Sequence, residues 1–424
     1  RDGMGAYRLT MLVHNLRTRY NGCMMTHPNH ESFALTNGRI VLPDRVVMDK
    51  ALQVAEGRIA GLVDAAALPA DTPRIDVGGR LIAPGLIDIH IHGARGHTFN
   101  EPTATAFKTI THENARRGVT ALLATTATAA IPDLVACLQY AREWMHAQHK
   151  GRHADCAQVL GVHVEGPYFA LSQAGAQDPA HIRNPDDGTP EQLLAHADCI
   201  RMMSYAPELP GALSLTRRLV QLGIVPAAGH SAARAEDMQP AIAAGLRHTI
   251  HIWSGQSTTV REGPWRKPGL LEVSLTDERL TSEMITDNRH LPPTLMQLAY
   301  KCLGADRLCA ISDATSGAGL PEGARFRMGG MEYEVHDGVG MLLDRTAFAG
   351  STTLLNQMIP ILTEVVGVPL PAAVRMASLT PARVIGVDGR KGSLEAGKDA
   401  DMAIFNPDFT PWAVVIGGRW IDRD

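Results

Sequence analysis

The chain has 424 residues, 45% hydrophobic and 20% charged, an ordinary globular composition that excludes a disordered or fibrous chain. At roughly 150 residues per domain the length fits two or three domains, or one α/β barrel of about 250 residues with a small companion. Forty-four acidic against 40 basic side chains leave a net charge of −4, so no basic field draws the chain to nucleic acid or to an anionic membrane surface.

No run nears the roughly 18 consecutive apolar residues that span a bilayer, so the expectation is a soluble chain with no membrane partner. Six cysteines, Cys23, Cys137, Cys156, Cys199, Cys302 and Cys309, are dispersed and form no C-x-x-C pair. With no charged-then-apolar leader, they point to a reducing, cytoplasmic setting. The 18 histidines are the unusual entry, because imidazole is the side chain most often recruited to bind metals or carry protons near neutral pH.

Residues 1–32 show no helical or strand period and read as an extension, with the natural start near Met25. From Phe33 short β-prone runs follow at 33–36, 39–42, 54–63 and 74–77, and a second set at 402–405 and 412–416 precedes the turn Gly417-Gly418. These runs predict one small β-sandwich domain assembled from 33–83 and 386–424. Between them lie eight apolar strand candidates: 85–90, 119–125, 159–165, 200–206, 224–229, 249–253, 280–286 and 307–312. Helical segments at 104–117, 131–148, 210–222, 235–244 and 291–303 alternate with them. The alternation predicts a (β/α)8 barrel over 84–385, with reactive groups at the carboxyl ends of its strands.

His90 and His92 close the first barrel strand. Residues two apart in a strand share a face, so both imidazoles project from its mouth and could chelate a divalent cation. Strand three ends His163-Val164-Glu165, strand five Gly229-His230-Ser231 and strand eight Ser312-Asp313; strand six contains His248-Thr249-Ile250-His251. Five ligand-type or acid/base groups at one topological face are hard to assign to core packing, and imidazoles with a carboxylate suit zinc or another borderline divalent metal. His163 sits one pleat below Glu165, either a ligand or a residue behind one. His248 alternates away from His251 and reads as structural.

These pieces resemble the N-acetylglucosamine-6-phosphate deacetylase family of the amidohydrolase superfamily. The resemblance runs from Phe33 to Trp420 through PGLIDIHIHG (84–93), GVHVEGPYF (161–169), AGHSAARAEDMQPAIAAGLRHTIHIW (228–253), RKPG (266–269), TDNRH (286–290), ISDATSGAGLPEG (311–323), AGST (349–352) and ASLTPARVIGVDGRKGSLEAGKDADMAIF (377–405). It implies a metal-dependent barrel with a β-sandwich from both termini, and removal of acetate from an N-acetyl amino sugar phosphate. N-acetylglucosamine-6-phosphate is the first expectation and its galacto epimer the alternative. By position, Glu165, His230 and His251 match the principal metal ligands, and His90 and His92 the pair that supports a second ion, so one or two Zn2+ or other divalent ions are implied per chain. Asp313 matches the carboxylate that takes a proton from water and delivers it to the departing amine.

Substrate contacts are implied at Ala176, Gln177, Ser254, Gly255, Arg266, His290, Phe348, Ala349 and Gly350. Arg266 and His290 form a phosphate clamp that in the family can come from a neighbouring subunit, hence an expected homodimer. Two stretches depart from the family. Ile252-Trp253-Ser254-Gly255-Gln256 replaces Leu-Phe-Asn-Ala-Met, with Arg261 and Trp265 as alternative contacts in a longer loop. Ala174-Gly175-Ala176-Gln177 replaces Lys-Gly-(small)-His, and Gln177 can donate a hydrogen bond but carries no charge. Cyclic-amide hydrolases lose weight because 200–204 lacks a bridging lysine. Nucleoside-type deaminases lose weight because His230 is followed by Ser231-Ala232-Ala233, without the glutamate of H-x-x-E. A metal-free scaffold would have shed ligands or the acid/base carboxylate, and none is missing.

Overall fold

A computed structural model describes residues 32–328 and 330–421. Apart from Ser32, the segment read as an extension lies outside the described residues, as does Cys23. The other five cysteines are free thiols.

All eight barrel strands form and pair in chain order: Leu86–Ile91, Val119–Thr126, Gln158–Glu165, Ile200–Tyr205, Val225–Ala228, His248–Thr249, Thr281–Ile285 and Leu308–Ile311. Neighbours along the sheet are parallel. The seam between the first and last strands is bonded where they end: the Asp313 N–H donates to the His90 carbonyl (2.9 Å) and the His92 N–H to the Ala314 carbonyl (2.8 Å). Every residue of Leu86–Ile91 and Val119–Thr126 is buried, as parallel strands covered on both faces require. The five helices read from the sequence appear as Ala104–Arg116, Ile131–His149, Ala212–Gln221, Ala235–Ala244 and Pro293–Arg307.

Three local readings are corrected. The run 54–63 is two strands, Ala51–Ala55 and Arg58–Val63, reversed at Glu56 and Gly57, whose φ values of 51° and 73° make a hairpin turn matched to strand twist. Strand six stops at Thr249 rather than running to Trp253, and the chain turns with His251 at φ 22° and Trp253 at φ 72°. Ile250 fills the space beside Gly229, where a Cβ would meet its Cγ1 at 2.1 Å, so only glycine fits there. The third correction is an insertion. After strand eight comes a four-stranded antiparallel sheet, Arg325–Met328, Met331–His336, Val339–Leu342 and Phe348–Ser351. Its first two strands alternate buried and more exposed residues, and Phe326, Met328, Tyr333 and Val335 pack with Ala127 and Ala349.

Strands from the two ends of the chain join in one six-stranded sheet ordered Arg419–Trp420, Pro411–Ile416, Met402–Phe405, Leu81–Pro84, Arg39–Val41, Val46–Val47. It shares an apolar core, including Phe33, Leu52, Ile82, Met402 and Val415, with a four-stranded sheet built wholly from 33–76. Phe405 instead faces the barrel core. It is fully buried, and a Cβ on Gly118 (φ 91°) would come within 2.7 Å of its ring, so that loop is compressed against the C-terminal strand. Phe405→Ala removes a packed ring at this junction and is expected to lower stability by about 3–5 kcal/mol, read by chemical denaturation; a loss under about 1 kcal/mol would mean that the junction carries no packing energy.

Candidate metal centre and active site

The strand ends deliver six buried ionisable groups to one point. Glu165, at the tip of strand three, is 1% exposed. Its Oε1 lies 3.2 Å from His230 Nε2 and 3.0 Å from His251 Nε2; its Oε2 lies 3.2 Å from His92 Nε2. Asp313 Oδ1 stands 3.4 Å from His92 Nε2 and 3.6 Å from His90 Nε2. His230, His251 and Asp313 all have positive φ, 44°, 22° and 47°. Non-glycine residues seldom accept that conformation, and it bends each side chain inward from the strand end.

Tautomers decide what this arrangement can do. His230 Nδ1 donates to the Gln173 carbonyl (2.8 Å) and His251 Nδ1 to the Ser254 carbonyl (3.1 Å), which leaves the neutral rings with a lone pair on each Nε2. Both lone pairs face a carboxylate oxygen, an unfavourable contact unless a proton or a metal cation lies between them. His90 Nε2 is likewise buried with no hydrogen-bond partner. Two overlapping sets, Glu165/His230/His251 and His90/His92/Glu165, bring one atom per residue within 4.8 Å of one another, so the donors fit a divalent metal. In the protein's own field the same crowding shifts the titrations. Burial favours neutral Glu165, but the His90 charge, and the hydrogen bonds that His230 and His251 donate from Nε2 when a proton rather than a metal lies between them and the carboxylate, hold its carboxyl well below the usual range. Burial also opposes charge on His90, yet Glu283 and Glu165 hold its pKa well above the ordinary value.

Neighbouring residues fix these groups. Gln177 donates from Nε2 to Glu165 Oε2 (2.6 Å) and accepts from the Thr128 N–H (2.8 Å), so its amide is used within the protein. His163 bonds Ser204 Oγ through Nε2 (2.9 Å) behind His90, and burial followed by the neighbouring His90 charge pushes its pKa down to about 3. His248 faces Glu283 rather than the Glu165 group, its Nε2 3.1 Å from Oε1. Two acids escaped the sequence reading. Glu208 accepts from the Ser231 hydroxyl (2.7 Å) and the Ala232 N–H (2.6 Å), holding the loop that carries His230. Glu283 lies in a barrel strand and its Oε2 accepts from His90 Nδ1 (2.7 Å); an acidic residue inside an apolar strand was the available signal.

A cavity of about 200 Å³ opens onto the group. Glu165, His92, His230, His251 and Asp313 reach it, whereas His90 lies behind its wall. Ala176, Gln177, Ser254, Gly255, His290, Phe348 and Gly350 also line it. His290 is held by Asp287, whose Oδ2 accepts from Nδ1 at 2.7 Å, and its ring meets Phe348 edge-on at 5.0 Å. Two expected contacts lie elsewhere. Ala349 lies in the last strand of the inserted sheet with its side chain buried among Phe326 and Tyr333, and Arg266 is exposed on the hairpin Val260–Glu262/Trp265–Lys267, donating to the Pro264 carbonyl (3.2 Å). A larger cavity, about 510 Å³, lies at the amino-terminal end of strand three beside Arg152 and Arg201 and contains none of these groups, so size alone does not locate the chemistry.

The amidohydrolase family model matches residues 81–421. The chain is 34% identical over 368 residues to an N-acetylgalactosamine-6-phosphate deacetylase of Escherichia coli, covering 86% of this chain and 92% of that protein. It is 32% identical over 348 residues to an N-acetylglucosamine-6-phosphate deacetylase of Vibrio furnissii, covering 82% and 84%. The solved N-acetylglucosamine-6-phosphate deacetylase from Pasteurella multocida superposes with a TM-score of 0.85 at 28% identity, over 92% of this chain and 99% of that one. A mutant of the Mycobacterium smegmatis enzyme, solved with N-acetyl-D-glucosamine-6-phosphate, gives 0.84 at 29%, over 92% and 100%. With the barrel and the buried imidazole–carboxylate group in place, these matches settle the lineage: the chain belongs to the amidohydrolase family and, within it, to the N-acetylglucosamine-6-phosphate deacetylase family.

Proposed function

We propose that this metal-dependent amidohydrolase cleaves the acetamide of N-acetylglucosamine-6-phosphate, giving the amino sugar phosphate and acetate. The observation that carries the reading is Glu165, with His230 and His251 presenting Nε2 lone pairs to one oxygen and His92 near the other. Glu165, His230 and His251 would hold one ion, and His90, His92 and Glu165 would hold a second. Zinc is the proposed metal because imidazole and carboxylate donors suit it. Such an ion supplies a Lewis acid for the amide carbonyl and lowers the pKa of water towards about 7.

Asp313 is the proposed acid and base. His92, His90 and His251 outweigh the effect of burial and hold its carboxyl below the ordinary range, so it stands ionised and able to accept a proton from water. That proton then goes to the amine nitrogen, which leaves poorly as an anion. The backbone bonds that tie Asp313 to His90 and Ser351 keep its carboxylate at the cavity wall. Gln177, occupied by Glu165 and Thr128, orients the Glu165 carboxylate rather than the substrate carbonyl.

For the phosphate, His290 and the small residues Ala176, Ser254, Gly255 and Gly350 form the cavity side, with Phe348 against the His290 ring. Arg266 lies off this cavity, on a hairpin with Arg261 and the exposed Trp265. Its exposure supports a homodimer in which it serves the partner's cavity, as the family pattern implies. The galacto epimer is the second reading, favoured by the 34% identity to a deacetylase named for it. Among the described residues no helix is long and apolar enough to cross a membrane; we place the enzyme in the cytoplasm.

Asp313→Asn is expected to keep the bound metal while turnover falls at least about 100-fold, measured by acetate release beside metal analysis. Near-normal turnover would remove Asp313 from the proton path. Acetate release should also favour N-acetylglucosamine-6-phosphate over its unphosphorylated form and over the galacto epimer. Equal rates with and without phosphate would discard the His290 and Arg266 clamp, and a faster galacto epimer would move the assignment to that sugar.

A further inference from the structure

Glu283 stands in the seventh barrel strand, fully buried, and one carboxylate there meets three groups. Oε2 accepts from His90 Nδ1 at 2.7 Å and from the His251 backbone N–H at 3.3 Å; Oε1 lies 3.1 Å from His248 Nε2. His248 is itself fixed, its Nδ1 2.7 Å from the Thr281 hydroxyl. An ionised carboxylate only accepts, so His90 carries a hydrogen on Nδ1, and Nε2 is the nitrogen left to ligate when a cation takes the place of its proton. That nitrogen has no hydrogen-bond partner and lies 3.6 Å from both Glu165 Oε1 and Asp313 Oδ1. The other candidate imidazoles depend on different acceptors, since His230 and His251 use the Gln173 and Ser254 carbonyls. Among these described imidazoles, His90 is the one whose Nδ1 meets a buried carboxylate from another strand.

We infer that Glu283, braced by His248, is a positioning residue that sets His90 in the tautomer and orientation for a second divalent ion, while the Glu165/His230/His251 set binds its ion without it. The inference rests on the two-ion reading above. Carboxylates behind ligating imidazoles raise their basicity and fix the ring, and losing one typically weakens metal binding about 10- to 100-fold. Because the contact to His251 is through its backbone N–H, its ring remains set by Ser254.

The test is Zn2+ binding to the metal-stripped full chain, by equilibrium dialysis and metal analysis, for the wild type, Glu283→Gln and His248→Gln, with thermal midpoints recorded alongside. Two ions are expected for the wild type. Glu283→Gln should keep the tighter ion at wild-type affinity and bind the weaker about 10- to 100-fold less well, and His248→Gln should weaken the same ion to a smaller extent. Two ions at unchanged affinity in Glu283→Gln would overturn the inference and leave the two-ion reading standing. Equal weakening of both ions with a lowered midpoint would reduce Glu283 to a structural residue and overturn it too. A wild type that takes only one ion would defeat the two-ion reading and the inference with it. Should Glu283→Gln fail to fold, His248→Gln alone decides: selective weakening of one ion supports the inference, and unchanged binding of both overturns it.

Discussion

Glu165 is a carboxylate removed from water with three imidazoles at its oxygens, and the rest of the barrel mouth follows from that constraint. An isolated charge in such a place is costly, and it persists only where compensating groups are already held in position. Three strand ends contribute one each. His92 comes from the first, His230 from the loop after the fifth, and His251 from the turn that ends the sixth. Carbonyl oxygens from Gln173 and Ser254 hold two of the rings, and the His92 backbone is tied to the eighth-strand end through its N–H.

The cost is spread over the surrounding chain. Left-handed backbone at His230, His251 and Asp313 marks places where the fold holds residues in conformations they would not choose alone. Deeper in the barrel, Asp88 is pushed up to about 7 by burial, with hydrogen bonds from Ser312 and His90 opposing the shift. Polar groups therefore continue below the mouth, through His163, Glu283 and His248, where an ordinary barrel would place aliphatic layers. This layering separates groups that face the cavity from groups that orient them.

Much of the architecture was legible without coordinates because strand and helix periods alternate cleanly and because ligand-type residues fall at strand ends. Legibility failed where local pattern and tertiary demand diverge. The sixth strand looks extended to Trp253, yet Ile250 must pack into the notch at Gly229, so the chain leaves the sheet after Thr249. The inserted sheet was hidden because its strands are short and interrupted by polar turns, although Phe326, Met328, Tyr333 and Val335 carry the alternation. Arg266 and Ala349 were assigned to the substrate by position in a motif; the hairpin carries Arg266 off this chain's own cavity, and Ala349 packs its side chain into the core of the inserted sheet.

What the sequence determined was the kind of chemistry and the scaffold: an HxH strand end, a glutamate after strand three, two later histidines and an aspartate after strand eight, on a barrel whose topology brings such positions together. Those are properties of residue type and period, which survive without coordinates. Only the tertiary structure decided which nitrogen of each histidine faces inward, that Gln177 serves Glu165, and that Glu283 reaches His90 across the barrel. Hydrogen-bond partners 12 and 193 residues apart are set by the closure of the sheet, and no local pattern encodes a distance of 2.6 or 2.7 Å.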